Sequence, residues 1–262
     1  MLPCSADVVI TQDLGTFLKG CHKIFVDTGA NRGTHIRKLF EPEKYPRSRY
    51  LVKHASLFGE GGSRSKPSSV TGICAVGLEP NPRWASTHRE IEKAYALQGW
   101  KVKFLPVAAG DHEGMLSFHT TAEDAVNSDW GFSEFESKAA EQGKSKDIVK
   151  QVKVEVFSDL IAKINASSPS GIRLIKMDIE GSEYDVIPDL LKKKLLCEDT
   201  IKHMTIEWHH RKTSLTQGEV MEIEKLAHHH TCEASKATLV EDFDDESYLY
   251  DGVPLPAPNS SA

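Results

Sequence analysis

Residues 23–36 read KIFVDTGANRGTHI. Ile24, Phe25 and Val26 make an apolar run of the kind that forms a buried strand. Asp27 ends it, Gly29 and Gly33 flank Asn31, and a helix-like stretch follows over Thr34–Phe40. A strand that runs through a glycine-bearing turn into a helix is the first unit of a parallel α/β sheet. In such sheets ligands sit beyond the carboxyl ends of the strands, near the switch in strand order. Glycines let the backbone turn tightly and let a ligand approach it. The helix that follows offers unpaired N–H groups. Asp27, Gly29, Asn31 and Gly33 are therefore candidate ligand-binding residues.

The rest of the chain repeats the alternation. Strands are expected at Ile73–Glu79, Lys101–Ala108, Met115–His119, Val152–Phe157, Ile172–Asp178 and Ile201–Trp208. Helices are expected at Arg83–Gln98, Ser158–Ile164, Ser182–Lys193 and Thr216–His230. Late strands near Glu233–Val240 and Ser247–Tyr250 suggest an antiparallel pair at one edge. The polar stretch 41–70 reads as a surface insertion with a flexible tip, and 121–147 as a flexible loop containing Trp130 and Phe132. Residues 1–252 form a single α/β domain on this reading, and 253–262, with the run PLPAPNSSA, form a disordered tail.

The bulk numbers agree with a soluble globular chain: 262 residues, 39% hydrophobic and 27% charged. Those proportions are ordinary for a folded domain. A net charge of −6 argues against a nucleic-acid partner, which selects a basic face. No run approaches the roughly 18 apolar residues of a membrane span. The first residues lack the pattern of a secretion signal, so a cytoplasmic location is expected, with the secretory-pathway lumen as the alternative if an N-terminal anchor is missing. Five scattered cysteines without a CxxC pair suggest free thiols in a reducing compartment.

The turn at Asp27–Gly33 is D-x-G-x-N-x-G, not the G-x-G-x-x-G of dinucleotide sites, because Asn31 stands where the middle glycine would be. That weakens the case for an NAD(P)-dependent oxidoreductase, as does the absence of a Tyr-x-x-x-Lys pair. An acid at a strand end suits a cationic or amine-bearing ligand, of which the methionine end of S-adenosylmethionine is one. Glu79, closing the second strand in ICAVGLEPNP, can accept two hydrogen bonds from a ribose diol, with Pro80 and Pro82 stiffening its turn. Asp111, after the third strand in PVAAGDHEG, can meet an adenine amino group.

In order, FVDTGANRG, LEPNP, AAGD, IRLIKMDIEGSEYDVI and TIEWHH resemble the FkbM family of S-adenosylmethionine-dependent methyltransferases. KMDIEGSE is the most family-specific of these runs. The resemblance implies a Rossmann-like, mainly parallel sheet of seven strands with an antiparallel edge strand. It also implies O-methylation, with a sugar hydroxyl or small metabolite as acceptor. Carried onto this sequence, it places Asp27, Gly29, Asn31 and Gly33 at the amino-acid end of the cofactor, Glu79 at the ribose and Asp111 near the adenine. A non-catalytic binding or assembly subunit that keeps the fold is the alternative.

LIKMDIEGSEYD gathers Lys176, Asp178, Glu180 and Glu183 around one strand end. Strand alternation puts Lys176 and Asp178 on one face. Buried charge is costly unless paired or used. Three uses compete. A carboxylate or Lys176 can act as general base on an acceptor hydroxyl. Asp178, Glu180 and a later acid or His can bind Mg²⁺ or Mn²⁺. Ser182 and Asp185 can form a capping box, with Glu183 favouring the helix dipole. In MTIEWHHRK, Glu207 and His209 share a face at the next strand end, while His210 points away. Glu207 and His209 thus join the catalytic candidates, His209 as a proton carrier.

Other charge runs carry less. His228–His230 cannot all face one ion on a helix and read as favourable charge at its C-terminus. Glu241–Ser247 reads as a solvated turn, and the basic residues of 46–66 as a solvated loop.

Overall fold

The computed structural model describes residues 14–121, 147–168, 170–210, 213–243, 245 and 252–257. In chain order these form β1 (Lys23–Thr28), α1 (Thr34–Phe40), α2 (Tyr50–Phe58), β2 (Ile73–Leu78), α3 (Ala85–Leu97), β3 (Lys101–Leu105) and β4 (Ala108–Gly110). They continue with β5 (Gly114–Thr121), β6 (Asp147–Val156), α4 (Phe157–Ser167), β7 (Ile172–Met177), α5 (Glu183–Lys192), β8 (Ile201–Ile206), α6 (Gln217–His229) and β9 (Leu239–Asp242).

Six strands make the central sheet, in the order β3-β2-β1-β7-β8-β9, and every pairing in it is parallel. This is the doubly wound arrangement, in which the chain winds outward from β1 in one direction and from β7 in the other. Alternation along β1 sends Ile24 and Val26 into one core and Phe25 into the other. α4 and α5 cover the first core through Phe157, Ile161, Val186 and Leu190. α1, α2 and α3 cover the second through Ile36, Phe40, Tyr50, Phe58, Ile91 and Tyr95. Each such side chain, fully buried, contributes about 1.5–3 kcal/mol. β4, β5 and β6 form a separate three-stranded sheet, with β4 parallel and β5 antiparallel to β6.

Among the described residues the central sheet has six strands, where seven were expected. The residues expected to supply the antiparallel edge, Ser247–Tyr250, lie outside the described residues, as do Trp130 and Phe132. The single strand expected over Lys101–Ala108 is two. Pro106 has no N–H to donate to a ladder, and the chain passes from the central sheet to the smaller one there.

The 41–70 segment is helical and packed, where a loop with a flexible tip was expected. Tyr50, His54 and Phe58, four residues apart along α2, are all buried. Further helical turns follow at Gly61–Arg64 and Ser68–Thr71. Arg64, read from sequence as part of a solvated basic loop, is 1% exposed. Its guanidinium donates to the carbonyls of Leu39 (2.9 Å) and Gly59 (2.6 Å), one of them at the C-terminal end of α1.

Residues 252–257 are likewise held. Arg37 donates to the carbonyls of Val253 (2.9 Å) and Pro254 (3.1 Å), and Gln98 to that of Ala257 (2.7 Å). Leu255 packs against the second core. The segment 252–257 is thus docked, where a disordered tail was expected from 253.

The cysteine reading also changes. Cys21 is bonded to Cys74 and Cys197 to Cys232. The pairs lie 53 and 35 residues apart in sequence, so no local spacing announces them. Parallel pairing of β1 with β2 brings the first pair together. Among the described residues no helix is long and apolar enough to cross a membrane.

Candidate active site

The switch in strand order falls between β1 and β7, the place where open α/β sheets bind ligands. A cleft of about 860 Å³ opens beyond the carboxyl ends of these strands. The turns leaving the two strands touch. The Asp178 N–H donates to the Thr28 carbonyl at 3.0 Å. Gly29 has φ 80°, and a Cβ built there would lie 1.7 Å from the Asp178 carbonyl oxygen. Only glycine fits, because the neighbouring backbone occupies the space of a side chain.

One side of the cleft is held by backbone. Asn31 adopts a left-handed conformation, φ 46°. Its N–H donates to Glu79 Oε2 at 2.6 Å, while the Asn81 N–H donates to Glu79 Oε1 at 2.8 Å. His88 Nε2 lies 2.6 Å from the Asn31 carbonyl, which only accepts, so that nitrogen carries the proton. Burial pushes the His88 imidazole down to about 4, keeping it neutral. Burial pushes Glu79 up to about 7, against the pull of its two N–H donors. Each carboxylate oxygen has two acceptor positions, so Glu79 keeps two for a ligand diol. Val107, Ala108, Ala109 and Phe118 supply an apolar wall.

The other side is charged. Lys176, 5% exposed, donates to the Gly29 carbonyl (3.1 Å) and Asp178 Oδ2 (2.8 Å) and sits 3.8 Å from Asp27 Oδ1. Burial alone would lower its pKa, but Asp178 and Asp27 hold the ammonium above its ordinary value. It stays a cation and is no general base at neutral pH. Asp27 is wholly buried beneath the turn. Neither carboxylate oxygen has a hydrogen bond, and burial pushes the group up to about 7.

Glu183 is also wholly buried. It accepts from the Ile179 N–H (2.7 Å) and Gly181 N–H (2.9 Å), and His209 Nδ1 lies 3.0 Å from its Oε1. The imidazole Nε2 faces Asp178 Oδ1 (3.8 Å), Glu180 Oε2 (3.7 Å) and Glu207 Oε1 (3.8 Å). Burial opposes protonation of His209, but Glu183, Glu180 and Asp178 outweigh it and raise the pKa to about 9. The proton carrier expected near neutrality is therefore an imidazolium at pH 7. Glu180 itself has a left-handed backbone, φ 59°. That conformation concentrates at functional turns.

Of the residues singled out in sequence, Gly29, Asn31, Glu79, Pro80, Lys176, Asp178, Glu180 and Glu207 line this one cleft. His209 stands directly behind the last three. Asp27 lies below the cleft. Gly33 lets α1 start against Phe104, where a Cβ would come within 2.9 Å of the ring. Asp111 is not among the lining residues; its side chain is 45% exposed and pairs with His112 Nδ1 at 2.6 Å. The capping box at Ser182 and Asp185 does not form, because Ser182 makes no side-chain cap. Thr216 and Glu219 form one instead at α6. His228 meets Asp242 and His230 meets the Ala227 carbonyl, so the histidine run diverges as its helical spacing requires.

Sequence reasoning missed the apolar wall at Ala108 and Ala109, which stands beside the Asp111 it favoured. It also missed Arg32, which lines the cleft with its guanidinium 5.2 Å from the centre of the Trp84 ring. The small residues in PVAAGD were the available signal for the wall.

Residues 62–234 match the methyltransferase FkbM domain. The match begins after β1, so the Asp27–Gly33 turn lies outside it. No curated protein and no solved structure matches the chain.

Proposed function

The chain belongs to the FkbM methyltransferase family, and we propose that it transfers a methyl group from S-adenosylmethionine to a hydroxyl of a glycan or small metabolite. The observation that carries this reading is one cleft with two unlike walls. Glu79, fixed by two backbone N–H groups, has acceptor capacity left for the ribose diol. Val107–Ala109 and Phe118 suit the adenine face, and the Gly29–Asn31 turn suits the amino-acid end. Asp178 and Glu180 line the same cleft, and their negative charge would favour the sulfonium of a bound donor.

The donor is already activated, so positioning supplies most of the rate. The acceptor oxygen attacks the methyl carbon in line. The carbon–sulfur bond breaks, its electron pair stays on sulfur as S-adenosylhomocysteine forms, and the hydroxyl proton passes to a carboxylate. Lys176 and His209 are already protonated, so Glu180 or Glu207 takes that proton. Lys176 and His209 serve to hold the carboxylates in place.

The reading includes an oxidising compartment. The Cys21–Cys74 and Cys197–Cys232 bonds support it, since such bonds persist where thiols are not kept reduced. Calorimetric titration with S-adenosylmethionine, S-adenosylhomocysteine and NAD tests the donor. Adenosyl ligands that bind the wild type and weaken in Glu79→Gln support the reading. Binding of NAD alone, or of none by a folded chain, sinks it. Radiolabelled methyl transfer onto a panel of free glycans and hydroxylated metabolites then identifies the acceptor.

A further inference from the structure

Resting on that reading, we infer that Asp178, Glu207 and His209 form a divalent-cation site, suited to Mn²⁺, on the acceptor side of the cleft. One imidazole and two carboxylates make a donor set for a borderline-hard first-row ion. The ligating atoms of the three residues lie within 4.8 Å of one another. Opposed ligands of one such ion stand about 4.2 Å apart, so small side-chain adjustments close the set.

The imidazole is aimed for this. Nδ1 lies 3.0 Å from Glu183, a buried carboxylate already fixed by two backbone N–H groups. A carboxylate behind a histidine is the arrangement that orients metal-bound imidazoles. Nε2 has no hydrogen-bond partner among the described residues, and an ion binding there displaces its proton. It faces carboxylate oxygens of Asp178 at 3.8 Å, Glu180 at 3.7 Å and Glu207 at 3.8 Å. Those separations are beyond hydrogen-bond reach but right for groups sharing an ion.

The supporting residues divide the labour. Lys176 occupies Asp178 Oδ2, so Oδ1 is the oxygen turned toward His209. Asp178 and Glu207 line the cleft, which gives an acceptor hydroxyl access to the ion. A divalent ion there would lower the hydroxyl's pKa and fix its oxygen against the donor methyl. Glu180, left outside the ligand set, becomes the carboxylate that receives the proton.

The test titrates Mn²⁺ alone into the chelator-treated full chain. Free Mn²⁺ is followed by electron paramagnetic resonance, and S-adenosylmethionine binding is measured on the same samples. One equivalent of Mn²⁺ should bind, weakened at least tenfold in both His209→Ala and Glu207→Gln, with donor affinity unchanged. Glu207 is a third exposed, so its substitution leaves folding intact even where His209→Ala does not. Saturable binding unchanged in Glu207→Gln, or no saturable binding by a chain that still binds the donor, overturns the metal site alone. A folded chain that binds neither ligand overturns the methyltransferase reading beneath it.

Discussion

The two walls of the cleft solve different problems with different materials. On the β1–β2 side one carboxylate, Glu79, is held by the N–H groups of Asn31 and Asn81, with a neutral His88 behind. On the β7–β8 side Asp178, Glu180, Glu183 and Glu207 surround the cations of Lys176 and His209. A backbone-held acceptor has fixed geometry and suits recognition of a constant group. A balanced cluster of charges can accept a proton or a cation and suits chemistry on a variable acceptor. The walls meet where Gly29 lies against Asp178.

That junction gives the largest expected effect. Gly29→Ala drives a Cβ into the Asp178 carbonyl and should cost at least about 3 kcal/mol in denaturant unfolding. Both walls should fail together; a stable variant that still binds the donor would show that the turns separate easily. Next, Glu183→Gln removes the charge that faces His209 and spoils an acceptor used by backbone N–H groups. It should cost about 2–3 kcal/mol. If the walls are independent, S-adenosylmethionine affinity in the surviving folded fraction changes by less than about twofold, as calorimetry can check.

Glu79→Gln should act mainly on the donor, weakening it roughly ten- to a hundredfold, while the acceptor lost to one backbone N–H costs about 1–2 kcal/mol in unfolding. A variant that loses stability but keeps affinity would make Glu79 a structural bracket.

The smallest effect is in pH dependence. Glu79 titrates near 7, so donor affinity should rise severalfold as pH goes from about 6 to about 8, and Glu79→Gln should flatten the profile. Asp27 and Glu79 both have folded-state pKa values raised above their unfolded ones. The folded state therefore binds more protons, and stability falls as pH rises from about 4 to about 7. Asp27→Asn should make that slope shallower in pH-dependent denaturant titrations; an unchanged slope would mean that Asp27 is ionised throughout.

Local pattern carried most of the architecture. The run at Ile24–Val26, the turn glycines and the periodic helices at α3, α5 and α6 are short-range signals, and they alone indicate a parallel α/β sheet. The same signals placed Glu79 and Asp178 at strand ends. In a parallel sheet all strand ends share one edge, so their meeting in one cleft follows.

Contacts between distant segments were set by tertiary structure. Sequence could not show that Gly29 serves an abutting backbone as well as a ligand, since the partner lies at Asp178. It could not pair Cys21 with Cys74, nor dock residues 252–257 onto Arg37 and Gln98. It missed the packing of Arg64 because composition counts charge and not the carbonyls that absorb it. It could not fix the proton on His209, because that depends on three carboxylates at the end of β7 meeting an imidazole at the end of β8, one crossover away. Periodicity is a property of neighbours along the chain, whereas burial and charge balance are set by neighbours in space.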